Sequence, residues 1–325
     1  MTTDKPSVIE PPFPRVLRIE PASKCNLACT HCPTGTIEMP RGIMQDDVFS
    51  KILDSIKEKK NYIKVVVLYH GGEPLMNKNF FEMAAQVRSH LPLSFIKSVS
   101  NGMILTQKNS EKLIHSGIDL IEFSLDGISA SNSDEIRVNS DAHRIINNIK
   151  YLLNLKEKYT ETRLKVAITS TQFITKEQSF PLTDPPNPEW LVNIFQNRVQ
   201  YKTTWAMRWP HMKILNDTSD QSKGKIYNLI TDKTSVEKNN CDHVINRITI
   251  RHNGDVVPCC FDLTSKLIMG NILKNSLSDI WKSSIYKNLR ESISGKKYQS
   301  ICNTCSEVKQ PVYLQPNEKI NNSET

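Results

Sequence analysis

The chain has 325 residues, of which 38% are hydrophobic and 23% charged, and 42 Lys and Arg against 34 Asp and Glu give a formal net charge of +8. This length can build one large domain, or a large domain and a small one. The longest apolar run, residues 65–69, is far below the roughly 20 residues of a membrane span, and no secretory signal is recognisable. We therefore expect a cytoplasmic protein without a membrane partner. The positive charge is scattered, so nucleic acid is not expected as a partner either.

Six β-rich runs alternate with amphipathic stretches in the first two-thirds of the chain. We predict strands at residues 15–20, 62–69, 94–100, 119–125, 164–171 and 198–207. Apolar residues at helical spacing, for example over residues 48–56 and 145–153, predict the connecting helices. Repeated strand–helix units favour an α/β fold with a parallel sheet, closed or partly closed into a βα barrel.

Polar and glycine-rich motifs follow several of the predicted strands. A cysteine-containing loop follows the first strand, Gly71-Gly72-Glu73-Pro74 the second, Asn101-Gly102 the third, and the SLDG run that begins at Ser124 lies at the end of the fourth. In parallel βα architectures the chemistry gathers at the carboxyl ends of the strands. We therefore predict the functional site at this edge of the sheet.

The first cysteine group has the spacing C-x3-C-x2-C. Cys25, Cys29 and Cys32 lie within eight residues, and no fourth cysteine is near them. Three thiolates can hold three corners of an iron–sulfur cube and leave the fourth iron open to an outside ligand. A zinc ion with His31 as fourth ligand, or three cysteines on a buried helix face, are the alternatives.

The second cysteine group lies more than two hundred residues further on and has enough thiols for a closed site. Cys241 and Cys259 flank a predicted hairpin, and Cys302 and Cys305 form a C-x2-C pair. Four thiolates could bind an iron–sulfur cluster fully, or equally a structural zinc ion. Adjacent side chains in a strand point to opposite faces, and the spacing from Gly254 favours Cys259 over its neighbour at position 260.

These signals divide the chain into residues 1–225 as a barrel, 226–312 as a small cysteine domain and 313–325 as a loose polar tail. Within the small domain, residues 245–257 predict a hairpin with its turn at Asn253-Gly254. Residues 277–290 predict one helix. Its predicted packing face consists of Leu277, Ile280, Trp281, Ile285 and Leu289.

Taken together, these motifs resemble the radical SAM (S-adenosylmethionine) superfamily with a C-terminal auxiliary-cluster domain of the SPASM/twitch type. The matching motifs are C-x3-C-x-aromatic-C with His31 in the aromatic slot, GGEP at 71–74, SNG at 100–102, SLDG at 124–127, and C-x12-G-x4-C with a distant C-x2-C. The resemblance implies an α/β fold, a partial (β/α)6 TIM-like barrel with a small C-terminal auxiliary iron–sulfur domain.

The resemblance also implies cofactors and roles for individual residues. Cys25, Cys29 and Cys32 would ligate a [4Fe–4S] cluster that chelates SAM. Further residues would contact SAM: Gly71, Gly72 and Glu73 at the methionine amino group, Ser124 and Arg137 near the carboxylate or ribose, and Asn101 near the ribose. An electron donor such as flavodoxin or ferredoxin would reduce the cluster. Reductive cleavage of SAM would then give a 5′-deoxyadenosyl radical that removes a hydrogen atom from the substrate.

The second cysteine group departs from the full SPASM pattern, which has seven cysteines and two auxiliary clusters. Only Cys241, Cys259, Cys302 and Cys305 fit, so we expect one auxiliary [4Fe–4S] cluster, as in the shorter twitch form. Full ligation by four thiolates disfavours substrate binding to this cluster. Accepting an electron from a substrate radical is the expected role, and purely structural support of the domain is the alternative.

The leading functional hypothesis is oxidation (dehydrogenation) or epimerisation of a small anionic or sugar/aminocyclitol-like metabolite. The first predicted strand begins near residue 15, which leaves no room for a leader-peptide-binding domain before it. Modification of a ribosomally synthesised peptide is the alternative, and a zinc-stabilised binding module is a third hypothesis that does not explain GGEP. No general base is assigned; side chains expected to face the pocket are Tyr69, His70, Trp205, Trp209 and His211.

Overall fold

The structure is a computed structural model that describes residues 8–37, 39–210, 212 and 227–317. Its strands are β1 (Val16–Ile19), β2 (Ala28–Cys29), β3 (Val65–Val67), β4 (Phe95–Ser100), β5 (Leu120–Ser124), β6 (Arg137–Val138), β7 (Lys165–Gln172), β8 (Gln200–Trp205), β9 (Tyr227–Thr231), β10 (Arg247–Ile250), β11 (Asp255–Val257), β12 (Gly270–Asn271) and β13 (Val312–Pro316). Its α-helices are α1 (Pro33–Thr36), α2 (Asp46–Lys59), α3 (Phe80–His90), α4 (Gln107–His115), α5 (Ala130–Ile136), α6 (Ala142–Lys158), α7 (Glu189–Phe195), α8 (Asp242–Asn246), α9 (Leu277–Lys282) and α10 (Ser284–Ser294). No helix of the described part is long and apolar enough to span a membrane.

A nine-stranded sheet in the order β12-β11-β10-β1-β3-β4-β5-β7-β8 forms the centre of the molecule. The six strands predicted from the sequence are β1, β3, β4, β5, β7 and β8, and each pairs in parallel with the next. The two end strands of the sheet, β12 and β8, do not pair with each other. The prediction of a partial, six-unit barrel is therefore confirmed, and the barrel is open.

The side chains on one face of this sheet are packed under the helices. In β1, Leu17 and Ile19 are buried in the main hydrophobic core, and the crossover helices α2 and α6 contribute their predicted apolar faces to the same core. Helix α6 begins where the carboxylate of Asp141 accepts a hydrogen bond from the backbone N–H of Arg144, which satisfies an otherwise unpaired amide.

The cysteine-rich C-terminal part shares this sheet. Strand β10 pairs in parallel with β1, and the predicted hairpin β10–β11 turns at Gly254, whose φ of 85° lies in the left-handed region that glycine tolerates best. The predicted boundary at residue 225 lies outside the described residues. Residues 313–316, predicted as part of a loose tail, instead lie in β13, because Leu314 is fully buried and the strand pairs with β9.

Residues 277–290 form two helices instead of the single predicted one. Helix α9 ends at Lys282, and Ser283, which has extended backbone angles, caps the following helix by accepting a hydrogen bond from the backbone N–H of Tyr286. This break rotates Ile285 away from the predicted packing face, and its side chain is 50% exposed. The other four members of that face, Leu277, Ile280, Trp281 and Leu289, are buried as predicted.

Replacing Trp281 by Ala is expected to lower the free energy of unfolding by about 4 kcal/mol. Its ring is only 1% exposed, lies 4.1 Å from the guanidinium carbon of Arg290, and donates a hydrogen bond from Nε1 to the carbonyl of Pro12 at 3.0 Å. Urea unfolding of the variant measures the loss. The exposed Ile285→Ala is the matched control, with an expected loss below about 1 kcal/mol; equal losses in the two variants would contradict the packing assigned to Trp281.

Candidate active site

The first cysteine group lies on the loop after β1, at the predicted edge of the sheet. Cys29 is buried. Each of the three thiols is close enough to the other two for their charges to interact. Burial raises the pKa of the Cys29 thiol to about 12 and also raises that of Cys25. The Sγ of Cys25 accepts a hydrogen bond from the backbone N–H of Leu27 at 3.5 Å. The three thiols therefore lie near one another on this loop.

The GGEP motif packs directly against the chain that enters the cysteine loop. The backbone N–H of Glu73 donates to the carbonyl of Lys24 at 2.8 Å. A Cβ added to Gly72 would lie 2.4 Å from that carbonyl oxygen and 2.5 Å from the carbonyl oxygen of Ala22. Glycine is therefore required at position 72 by this close approach of two backbone segments.

The side chain of Glu73 organises the neighbouring SNG turn. Its carboxylate accepts hydrogen bonds from the Oγ of Ser100 at 2.9 Å and from the backbone N–H of Asn101 at 2.7 Å. Asn101 in turn donates from Nδ2 to the side chain of Asn26 at 2.9 Å and lies 3.9 Å from the Sγ of Cys25. The motifs at residues 71–74 and 100–102 are thus joined to the cysteine loop through hydrogen bonds.

Arg137 lies directly opposite the cysteine loop. In the short antiparallel pair of β2 and β6, Arg137 is the partner of Cys29. Its Nη1 donates to Oδ2 of Asp126 at 2.6 Å, and the other carboxylate oxygen of Asp126 accepts from the backbone N–H of Thr171 at 2.7 Å. Asp126 is 1% exposed. Burial alone would raise the pKa of its carboxyl, but the neighbouring Arg137 guanidinium holds that pKa below its usual value. Asp126 was not predicted as a site residue, although it is the aspartate of the SLDG motif.

The histidine in the aromatic slot of the cysteine motif packs into the same network. The Nε2 of His31 lies 3.7 Å from the carboxylate of Asp126, and its ring meets Phe173 edge-on at 5.9 Å. Burial lowers the pKa of His31. Ser124, the remaining predicted contact, ends β5 and is buried.

A second unpredicted residue, Glu20, connects the two parts of the chain. One oxygen of its fully buried carboxylate accepts from Nδ1 of His70 at 3.1 Å and from the backbone N–H of Gly71 at 3.0 Å. The other oxygen accepts from Arg251 and from His252 in the C-terminal hairpin, both at 3.1 Å. Glu20 therefore holds the GGEP loop and this hairpin in one arrangement.

The second cysteine group also converges. The thiols of Cys259 and Cys241 are each close enough to those of Cys302 and Cys305 for their charges to interact. Burial raises the pKa of the thiols at 302 and 305 to about 12. The neighbouring Cys260 lies 3.7 Å from Nδ1 of His243.

The side chains predicted to face a substrate pocket have separate surroundings. Tyr69 lies under the guanidinium of Arg18, whereas His70 is fully enclosed beside Glu20. Trp205 donates to the carbonyl of Thr183 at 2.7 Å, and Trp209 packs at 5.1 Å on Phe261. Residue 211 lies outside the described residues.

The donor chemistry of both groups fits iron–sulfur clusters. Among the described residues no three His, Cys, Asp or Glu side chains form a ready-made site for a metal ion. A single ion needs all donors within about 2.3 Å of one atom, whereas a four-iron cluster distributes its thiolates over several iron atoms. Beside the first group, the Nε of Arg137 is buried with no hydrogen-bond partner in the described part of the chain, so it can donate to an anionic group there.

Comparison with known proteins identifies two domains in the chain. Residues 19–164 match the radical SAM superfamily, and residues 241–306 match SPASM, an iron–sulfur cluster-binding domain. The chain therefore belongs to the radical SAM superfamily. It is a radical SAM enzyme with a C-terminal SPASM domain, and these two domains imply a [4Fe–4S] cluster with SAM and auxiliary iron–sulfur binding.

Several relatives match nearly the full chain. The tungsten-containing aldehyde ferredoxin oxidoreductase cofactor-modifying protein of Pyrococcus furiosus is 25% identical over 319 residues, 90% of this chain and 87% of that protein. The AdoMet-dependent heme synthase of Methanosarcina barkeri is 22% identical, over 90% and 91% of the two chains. BtrN in complex with AdoMet and 2-DOIA has a TM-score of 0.57 at 16% identity, covering 92% of this chain and 95% of its own.

A further structure with this fold has a peptide bound. Streptococcus suis SuiB bound to precursor peptide SuiA has a TM-score of 0.54 at 15% identity, and the match covers 86% of this chain and 67% of SuiB. At these identities the likeness to BtrN and to SuiB shows the fold.

His243 is expected to make the protein less stable in mild acid. Burial lowers its pKa to about 4, so between that value and about 6.5 the unfolded chain binds a proton that the folded chain does not. Stability is therefore lost as the pH falls, by about 2 kcal/mol from pH 7 to pH 5 for this residue alone. Urea unfolding at both pH values measures the loss, and His243→Gln should reduce it; an unchanged pH dependence in that variant would refute the assignment.

Proposed function

We propose that this enzyme cleaves SAM reductively at the three-cysteine site and removes a hydrogen atom from a small anionic or sugar/aminocyclitol-like metabolite, which it oxidises (dehydrogenates) or epimerises. The observation that carries the proposal is the convergence of Cys25, Cys29 and Cys32 with GGEP and Arg137 at one edge of the sheet. Three thiolates without a fourth protein ligand suit a cluster that must bind a second molecule.

The surrounding residues have distinct proposed roles. The backbone at Gly71 and Gly72 would lie at the methionine amino group, and the hydrogen bond from the Gly71 N–H to Glu20 would hold it in place. Arg137, held through one arm by Asp126, would donate from its free Nε to the carboxylate. When bound, the cluster and SAM supply the radical, an electron donor such as flavodoxin or ferredoxin supplies the electron, and the auxiliary cluster supplies an electron acceptor.

Similarity to BtrN supports a small-molecule substrate. That structure holds AdoMet together with 2-DOIA, and its chain matches this one over nearly the full length of both. The names of the two curated relatives refer to a cofactor and to heme. All three therefore point to a metabolite as the substrate.

The likeness to SuiB bound to its precursor peptide supports the second candidate, modification of a ribosomally synthesised peptide. The gene neighbourhood separates the two candidates. A neighbouring gene for a short precursor peptide would favour the second candidate, whereas neighbouring sugar-pathway genes would favour the first.

Replacing Cys302 by Ala is expected to remove the auxiliary cluster and to leave the cleavage of SAM in place, because the two cysteine groups lie on different loops. The iron content should fall by about half. Conversion of a substrate should be impaired, while 5′-deoxyadenosine should still form on reduction. Iron analysis and chromatography of the SAM products measure these effects. Unchanged substrate conversion would overturn the proposed role of the auxiliary cluster, and loss of SAM cleavage would overturn the independence of the two sites.

A further inference from the structure

The face of the sheet that does not pack under the helices carries a group of charged side chains. The strand register places Arg18 of β1 beside Val67 of β3, and Val67 beside Lys97 of β4. By the same pairings, Glu122 of β5 and Lys202 of β8 lie on this face, because paired residues and residues two apart in a strand point to the same side.

These side chains converge across several strands. The carboxylate of Glu122 accepts from Nζ of Lys97 at 2.6 Å and lies 3.8 Å from Nζ of Lys202, which is two strands away. The backbones of strands that lie two apart in a flat sheet are about 10 Å from each other. The short distance between Lys202 and Glu122 therefore means that their side chains lean toward each other across the strand between them. Arg18 lies on the same face, two strands from Lys97 through Val67, so this face holds three cations and one carboxylate, a net charge of +2.

Arg18 is the member without a carboxylate partner. Its side chain is 7% exposed, and its guanidinium carbon lies 4.9 Å from the ring centre of Tyr69. Within the described part of the chain it forms no ion pair with an Asp or Glu side chain. An enclosed cation of this kind is costly unless an anion neutralises it, so its position favours an anionic ligand.

The charged group lies next to the proposed SAM site. Glu122 is two residues before Ser124 on the same face of β5, a distance of about 7 Å along the strand. Lys202 is aligned through Thr169 with Ser124. A molecule bound to these cations would therefore lie beside the cofactor, where hydrogen abstraction must occur.

We propose that Arg18, Lys97 and Lys202 form an anion-binding site for a carboxylate or phosphate group of the substrate, with Arg18 as the principal contact. The inference rests on the proposed function in so far as the bound molecule is the substrate of the radical reaction. Glu122 positions the two lysines.

Thermal unfolding of the anaerobically reconstituted protein tests the site with inorganic phosphate and with malonate as probes, against sodium chloride at matched ionic strength. Either probe should raise the melting temperature saturably, because a ligand that binds only the folded state stabilises it. The larger rise identifies the preferred anion.

Arg18→Gln should weaken the apparent affinity by at least about 10-fold, the value expected for one charge-assisted hydrogen bond. Arg163 is a half-exposed arginine paired with Asp119, and the control variant Arg163→Gln should bind the anion like the wild type.

A second variant protects the test against misfolding. Lys202 is 56% exposed, so Lys202→Met can be made without disturbing the core, and it should also weaken anion binding. No saturable rise in the wild type, or wild-type affinity in both the Arg18→Gln and the Lys202→Met variants, would overturn the proposal. The measurement uses no reductant, so a failure of SAM cleavage would count against the proposed function and leave this test intact.

Arg18 could instead serve as a counter-charge for the auxiliary cluster, since Cys259 and Cys260 are within its electrostatic reach. A redox titration followed by electron paramagnetic resonance separates the two roles. A shifted midpoint potential of the auxiliary cluster in Arg18→Gln, combined with unchanged anion affinity, would overturn the proposal. An unshifted potential with weakened anion affinity would support it.

Discussion

Replacing Cys29 by Ala is expected to abolish reductive cleavage of SAM, reducing the formation of 5′-deoxyadenosine to the uncatalysed background. Cys29 is the most enclosed of the three thiols, and its loop pairs directly with the strand that carries Arg137. With two thiolates left, the cluster lacks one of its three proposed protein ligands, and the charged groups that face Cys29 are an arginine and a paired aspartate. Chromatography of the products after reduction with dithionite measures the effect.

Cys260→Ser is the matched control for this experiment. The residue is a cysteine outside both proposed ligand sets, and its Sγ lies 3.7 Å from Nδ1 of His243. Its substitution should leave both iron content and SAM cleavage near the wild-type values. Full cleavage in the Cys29 variant, or loss of auxiliary iron in the Cys260 variant, would show that the ligands have been assigned wrongly.

The second large effect is expected for Asp126→Asn. Once residue 126 has lost its negative charge, Arg137 is an enclosed cation with no ion-pair partner. This should cost about 3 kcal/mol of folding stability. The guanidinium also loses the contact that orients it, so the affinity for SAM should fall by about 10- to 100-fold. Denaturant unfolding and equilibrium binding of SAM measure the two effects separately.

The double variant Asp126→Asn/Arg137→Met distinguishes positioning from general damage. Removing the cation as well should restore part of the lost stability, because no uncompensated charge remains. Affinity for SAM should stay low, since the donor itself is gone. If the double variant were as unstable as the single one, or if Asp126→Asn bound SAM like the wild type, the assigned role of Asp126 would be incorrect.

Local patterns allowed much of the fold to be predicted. Strands such as β1 contain apolar residues that are buried, here Leu17 and Ile19, and parallel pairing follows from the strand–helix alternation. Strand β8 has no buried side chain, and its residues are alternately exposed and half-buried. The break between α9 and α10 was not predicted, because apolar spacing continues through Ser283. Only the cap formed by its side chain shows where one helix ends and the next begins.

The site could be predicted where residues lie within one motif, and not where distant segments meet. The cysteine spacing and GGEP are local signals. Glu20 gave no such signal, since its partners His70 and Arg251 are 50 and 231 residues away. The pairing of Cys29 with Arg137 likewise depends on two two-residue strands whose register no sequence pattern specifies. Asp126 could have been found, because it lies within the quoted SLDG motif beside Ser124.

The sharing of one sheet by both parts of the chain has a physical basis. Strand β10 of the cysteine-rich part pairs along the whole of β1, and Glu20, directly after β1, binds the hairpin that β10 begins. The two proposed clusters would thus be held on a common framework. This arrangement suits transfer of an electron between the reaction site and the auxiliary cluster.

We propose that three cysteines hold a cluster that cleaves SAM and that four others hold an auxiliary cluster. Anaerobic reconstitution followed by iron and sulfide analysis, with SAM and dithionite added to the same sample, tests it most directly. We expect about eight irons and eight sulfides per chain and the formation of 5′-deoxyadenosine. Protein that binds zinc at both sites, or that carries the iron and forms no 5′-deoxyadenosine on reduction, would contradict the claim.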